Sequence, residues 1–344
     1  MERSISSYLS KTFRFDSMKS IICNPFTPIP KSDKSHVKGW SIVWAQRLNA
    51  DIATKDIDLM DYDHIYIDHG VNFSGSLNLF GGFNEEVVSR FYNLFDAIDN
   101  GARLFSLDQN IHSCGYPDQI EKRIGAKTTS EMVDIDFVVR CAENFGLAKT
   151  TLMSDLNLSK AIIGDSHTAA FSTKDQAIYR FNGKTLYSSL RDGLYDFIKV
   201  NIKKKYKEIA ISLGSIDIRF HCLKHGRWTA KEFADKYAKQ VLFCQDKLKT
   251  KLVVCAPVPI EFEGRKIPGS GQHKGNNFYG SRQQRLDYTL EVIDRLEDYF
   301  LDFDLISPPK EWYQMDGEKY AKEIMELASS VHIAPSHYRS TINW

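Results

Sequence analysis

The stretch Lys160–Ser172, KAIIGDSHTAAFS, decides how this chain folds. Its apolar run closes on Gly164, which reads as a buried strand ending in a sharp turn. Thr168, Ala169, Ala170 and Phe171 then read as the start of a helix. Strand, tight turn and helix in this order form the βα unit of a parallel sheet. The turn sets Ser166 at the carboxyl end of the strand, beside the N–H groups that a helix start leaves unpaired. A nucleophilic serine needs that exposure and those donors. An ordinary turn, with Asp165 or Ser166 capping the helix, fits the same residues.

Working outward, the alternation continues in both directions. Before the turn, Ser20–Asn24, His64–Gly70 and Ala102–Asp108 read as strands. His36–Asn49, Asn84–Asp99 and Glu131–Phe145 read as helices, the second with Val87, Val88, Phe91, Leu94 and Phe95 at helical spacing. After the turn, Glu208–Asp217 and Lys251–Pro259 read as strands, and Thr229–Leu248 and Arg282–Phe300 as helices. The expected fold is α/β, with two doubly wound parallel-sheet domains over 1–155 and 156–344. The seam, Leu147–Leu158, lacks proline and glycine, so the halves are expected to pack tightly.

The 344 residues suit two such units, and 42% hydrophobic with 26% charged residues is an ordinary globular mix. A formal net charge of +1 neither demands nor excludes nucleic acid. Six cysteines (Cys23, Cys114, Cys141, Cys222, Cys244 and Cys255) form no CxxC pair and are expected as buried free thiols in a reducing compartment. Met1–Ser20 has no apolar core of a signal peptide, and no stretch reaches the roughly 18 apolar residues of a membrane span. The expected location is cytoplasmic, in the host cell if the gene is phage-borne, with no membrane partner. Oligomeric state is not legible.

Three further signals converge on Ser166. Gly183, in FNGKT after the short strand AIYRF, offers a second backbone N–H or is a plain turn glycine. Leu213–His221, LGSIDIRFH, brings Gly214 and sets Asp217, Arg219 and His221 at alternate positions, which an extended chain would point to one side. A solvated loop with a local Asp–Arg pair reads equally well. Ser329–Tyr338, SSVHIAPSHY, brings His332 and His337 just after the helical stretch GEKYAKEIMELA. An early Gly-Asp-Ser and a late histidine are the order in which acyl-transfer chemistry is built.

These residues resemble the SGNH, or GDSL-like, hydrolase superfamily over about Lys160–Pro335. The resemblance implies a three-layer α/β/α fold for the C-terminal half, with Ser166 as nucleophile and His332 as base. Gly183 matches the oxyanion glycine, Gly214 opens the third block, and Asp165, His167 and His337 are candidate helpers. GDSH with G-x-I-D-x-R-x-H looks most like members associated with polysaccharide gene clusters. Ile216 stands where the family places an oxyanion asparagine, a loss worth on the order of 10²–10³ in rate. Ser329 stands where the family places the aspartate that orients the histidine, so a backbone carbonyl or a carboxylate such as Asp316 is expected in its place. Asp217, Arg219 and His221 are expected to shape the substrate side, with Arg219 as an anion or sugar ligand. The implied activity is hydrolysis or transfer of an acyl group on a carbohydrate-like or modified-nucleotide substrate.

The N-terminal stretch Asp61–Asn84 reads as a strand followed by a glycine-rich loop over a sheet edge. With Leu104–Ile111 it weakly resembles the N-terminal domain of phage DNA β-glucosyltransferases of the GT-B fold, which makes Asn72 and Asp108 candidate ligand residues. That resemblance implies an alternative: a glycosyltransferase-like, DNA- or nucleotide-modifying enzyme whose second half only binds. Two basic segments, Val200–Glu208 and Gly264–Arg285, are candidate polyanion contacts, the second read as a mobile loop carrying Phe278 and Tyr279. No GxGxxG, Walker or metal-ligand spacing is present, so no cofactor and no metal is expected.

Overall fold

A computed structural model describes residues 18–24, 36–54, 57–67, 85–107, 135–226, 228–264, 266, 275–299, 304–326, 331–342 and 344. Two five-stranded sheets, parallel throughout, carry the architecture. The first holds β1 (Ser20–Cys23), β2 (Asp51–Ile52), β3 (His64–Ile67), β4 (Arg103–Leu107) and β5 (Lys149–Thr151), in the order β2-β1-β3-β4-β5. The second holds β6 (Lys160–Gly164), β7 (Gln176–Arg180), β8 (Glu208–Ser212), β9 (Lys251–Cys255) and β10 (Leu305–Ile306), in the order β10-β9-β8-β6-β7. Renumbered within each half, both read 2-1-3-4-5, a doubly wound order whose ligands bind where the winding reverses. In the second sheet that reversal lies between β6 and β8.

Helices α1 (His36–Leu48), α2 (Glu85–Asp99) and α3 (Ile135–Leu147) belong to the first half. The second half contains α4 (Thr168–Phe171), α5 (Leu186–Asp192), α6 (Leu194–Asn201), α7 (Ala230–Leu248), α8 (Arg282–Tyr299), α9 (Lys310–Gln314) and α10 (Gly317–Glu323). Helix α7 starts where a capping box forms, with Thr229 and Glu232 each bonding the other's backbone N–H. Among the described residues no helix is long and apolar enough to cross a membrane. Cys23, Cys141, Cys222, Cys244 and Cys255 are buried free thiols, and Cys114 lies outside the described residues.

Strand alternation sorts the first sheet's side chains between two cores. Ile21, Cys23, Ile65 and Ile67 pack with Val87, Phe91, Phe95 and Phe137 on one face. Ile22 and Tyr66 point the other way, into a core shared with Trp44 and with β6, β8 and β9 of the second sheet. Polar contacts also cross between the halves. Arg47 of α1 donates from Nη2 to Ser172 Oγ (3.0 Å) and from Nε to Gln176 O (3.3 Å). Burial lowers its pKa to about 10, against the opposing charge of Asp175. The tight packing expected at the seam is present, but Leu147–Leu158 is not a plain connector. It contains β5, a three-residue edge strand of Lys-Thr-Thr too short and polar to show an apolar period.

Gly164 is glycine for a reason other than turn geometry. A Cβ there would lie 1.9 Å from the Ser212 carbonyl oxygen of β8 and 2.9 Å from Thr168 Oγ1. Gly164→Ala is expected to cost about 3 kcal/mol or more, because backbone, unlike a side-chain tip, cannot yield. Gly183→Ala meets nothing within 4 Å and carries only the penalty of φ +77°, about 1 kcal/mol. Urea unfolding of the two variants measures the difference, and equal losses would refute the assignment of Gly164 to close strand approach.

Candidate active site

Ser166 lies two residues past the end of β6, on the turn into α4. The chain leaves the strand still tied to β8, because Asp165 N donates to Ser212 O (3.0 Å). Thr168 donates to Asp165 O from both N (3.3 Å) and Oγ1 (2.6 Å), which closes the first helical turn. Neither Asp165 nor Ser166 caps α4; the N-cap is His167, and it makes no side-chain cap bond. Asp165 Oδ1 instead accepts from His167 N (2.8 Å) and faces His167 Nδ1 (3.0 Å). Ser166 is partly exposed, and among the described residues neither its amide nor its hydroxyl makes a hydrogen bond.

Sheet register places the two candidate glycines on either side of that turn. Gly164 pairs with Arg180 of β7 and with Ser212 of β8. Gly183 follows β7 by three residues, exposed in a turn where Lys184 N donates to Phe181 O. Gly214 follows β8 by two, with φ +109° and a would-be Cβ 2.9 Å from Phe233 Cζ.

His332 reaches the turn from the C-terminal segment. That segment folds back antiparallel past α10, pairing Met325 with Ile333. Glu326 N donates to His332 O (2.9 Å) and Ala334 N to Ile324 O (2.8 Å). The His332 ring is partly exposed, 5.2 Å from the His167 ring, and its Nδ1 lies 3.8 Å from Glu326 Oε2. Glu326 is itself buried. The carboxylate beside the histidine is therefore Glu326 and not Asp316, which caps α10 by accepting from Glu318 N and Lys319 N. Ser329 lies outside the described residues. His337 is engaged elsewhere, with Nε2 2.9 Å from Glu323 O and its ring against Trp312.

The expectation that Asp217, Arg219 and His221 line one side is overturned. The strand ends at Ser212, and Asp217–Cys222 forms a π-helical turn, in which residues two apart do not face the same way. The left-handed backbone at Gly214 redirects the chain before the helix begins. Asp217 is buried and accepts from Leu186 N (2.7 Å) and Tyr187 N (3.0 Å) at the start of α5. Arg219 is also buried, which removes it as an exposed anion ligand. Its Nε donates to Glu261 Oε2 (2.8 Å), Nη2 to Pro259 O (3.1 Å), and Nη1 lies 3.4 Å from His167 Nε2. Burial alone would raise the Glu261 carboxyl, but the charge and hydrogen bond of Arg219 hold it below its usual range. His221 packs against Phe220.

Glu261 and Glu326 escape sequence reading for different reasons. Glu261 is the first acid after the apolar run VVCAPVPI, a position that hints at a buried partner. Glu326 sits six residues before His332, and only the fold-back brings it close. Of the basic segments, Lys204 is tied to Leu156 O (2.7 Å), while Arg285, read as part of a mobile loop, is buried in α8 and donates to Gly280 O (2.7 Å). Asn72 and Asp108 lie outside the described residues. Among the described residues no group of three or more His, Cys, Asp or Glu side chains is placed to hold a metal.

No family model and no curated protein matches this chain. Among solved structures it is similar to the acetyl xylan esterase AlAXEase (17% identity, TM-score 0.33, 51% of this chain and 92% of that one). It is also similar to a lipase/acylhydrolase from Enterococcus faecalis (14%, TM-score 0.33, 52% and 88%). A GDSL-like lipase from Parabacteroides merdae matches at 14%, with TM-score 0.31 and coverage of 52% and 90%.

Burial raises the Asp217 carboxyl to about 6, against the two amide bonds from Tyr187 and Leu186 and with a contribution from the Asp165 charge. Between the unfolded value and about 6, the native state then binds the extra proton. Stability contributed at this site is expected to be full below pH 4 and to fall by about 3 kcal/mol as pH rises to 6. Subtracting the pH–stability curve of Asp217→Asn from that of the wild type isolates this term. A difference flat between pH 4 and 6 would contradict the burial argument.

Proposed function

We propose that this chain is a serine-dependent acyl-ester hydrolase or O-acyltransferase, with Ser166 as nucleophile, His332 as base and Glu326 as the carboxylate that orients the base. The observation that carries this reading is the position of His332, bracketed by Glu326 on its Nδ1 side and by the nucleophile turn through His167. With Nδ1 facing Glu326, Nε2 is the base nitrogen. It takes the Ser166 hydroxyl proton as Oγ bonds to the ester carbonyl carbon. The tetrahedral oxyanion rests on backbone N–H groups of the turn, with those of Gly183 or Gly214 at its flanks. The C–O ester bond then breaks, and His332 returns the proton to the departing alkoxide. Water or an acceptor hydroxyl, deprotonated by His332, releases the acyl group from Ser166.

A carbohydrate-like substrate suits a groove on the same half of the chain. A cavity of about 440 Å³ opens between α5 and α7, lined by Tyr187, Arg191, Trp228, Lys236, Lys239 and Gln240. Tyr187 and Trp228 pack at a tilt with ring centroids 5.4 Å apart, and the buried Asp217 accepts from the Tyr187 amide. Aromatic faces take a sugar or base ring, and the three cations favour one that bears negative charge.

Hydrolysis of p-nitrophenyl acetate and labelling by a fluorophosphonate, located by mass spectrometry, test the chemistry. Wild type is expected to turn over the ester and to label at Ser166. Ser166→Ala is expected to fall by about 10⁴-fold or more, and Glu326→Gln by about 10²–10⁴-fold with labelling slowed in parallel. Turnover unchanged in Ser166→Ala, or a label on another residue, would defeat the assignment.

A further inference from the structure

His167 adjoins the nucleophile in sequence, yet its geometry rules it out as the base. The ring is 3% exposed, and both nitrogens face other groups. Nδ1 lies 3.0 Å from Asp165 Oδ1, an oxygen that already accepts from His167 N. Nε2 lies 3.0 Å from Val331 O, a carbonyl that can only accept. Both ring nitrogens are therefore engaged away from Ser166, and Nε2 meets Val331 O as the donor. Arg219 Nη1 lies 3.4 Å from Nε2, and the carboxylates of Asp165 and Glu261 complete a buried polar cluster.

We propose that His167 is a positioning residue that fastens the segment carrying His332 to the nucleophile turn. The hydrogen bond spans 164 residues of chain and ends on the residue before His332. His167 follows Ser166, and Val331 precedes His332, so one bond sets the spacing of the two reacting side chains. The other backbone ties on that segment, Glu326 N to His332 O and Ala334 N to Ile324 O, hold it to the end of α10 but not to the turn. Arg219, itself held by Glu261 and Pro259 O, backs the Nε2 side of the ring and limits its tilt. The effect on rate rests on the reading of Ser166 and His332 as the reacting pair; the clamp itself does not.

Two substitutions separate the ring's two bonds. His167→Gln puts an amide nitrogen near the place of Nε2 and keeps a donor for Val331 O. His167→Asn puts its amide near the place of Nδ1 and cannot reach Val331. For p-nitrophenyl acetate, His167→Asn is expected to lower kcat by about 10²-fold. KM is expected to stay within about twofold, and His167→Gln to recover most of the loss. Amide hydrogen exchange over Val331–Ala334 is expected to quicken by about tenfold in His167→Asn and not in His167→Gln. In the wild type, nitrogen shifts of the His167 ring are expected to report a proton on Nε2, the donor to Val331 O, a measurement that needs no variant to fold. Like behaviour of the two variants in exchange, or a His167 Nε2 without its proton, would overturn the clamp. Ser166 labelling fails or succeeds independently of these results and judges the acyl-transfer reading alone.

Discussion

At Gly164 the backbones of β6 and β8 approach so closely that the Ser212 carbonyl fills the space of a side chain. Much of the candidate site depends on this contact. It fixes the end of β6, and the same Ser212 oxygen then accepts from Asp165 N, so the turn leaves the sheet with little freedom. Ser166 is the next residue. A larger residue at 164 would part the strands at the point where the doubly wound order reverses, which is where such sheets leave a crevice for ligands. Packing and chemistry are thus joined at one residue.

Behind the turn lies a cluster of charges that is unusual for its depth. Asp165, His167, Arg219 and Glu261 are all nearly inaccessible to solvent. Isolated, any of them would be costly to bury, and together they satisfy one another's polar groups. They come from three parts of the second half: Asp165 and His167 from the turn after β6, Arg219 from the helical turn after β8 and Glu261 from the loop after β9. Such a cluster adds little net stability compared with an apolar core of the same volume. It contributes directional bonds, and these tie three loop ends to the segment bearing His332. Asp217 does the same for α5, through two amides rather than a counter-ion.

The first sheet repeats the strand order of the second, and its inner face shares a core with it through Ile22, Trp44 and Tyr66. Arg47 crosses between the halves on Ser172 Oγ, on Thr173 O of the loop after α4 and on Gln176 O at the start of β7. The N-terminal half therefore supports the element that follows the turn bearing Ser166.

Local pattern alone made much of the fold legible. Apolar runs closed by turn residues marked β6, β8 and β9, and helical spacing marked α2, because each signal lies within a few neighbouring residues. Edge strands β2, β5 and β10 have two or three residues, too few for a period, and they exist because a neighbouring strand pairs with them. The serine and the late histidine were legible as residue types in order. Their surroundings were not. Whether Leu213–His221 runs extended or helical turns on the left-handed backbone at Gly214, and the choice reassigns Asp217 and Arg219 from substrate contacts to buried supports. Glu326 replaces Asp316 beside His332 because the chain folds back after α10, bringing together residues that no spacing rule relates. Sequence by itself determined the elements and the chemistry available to them, since both are local properties. Only the tertiary structure decided which charges meet, because burial and distance belong to the packed chain.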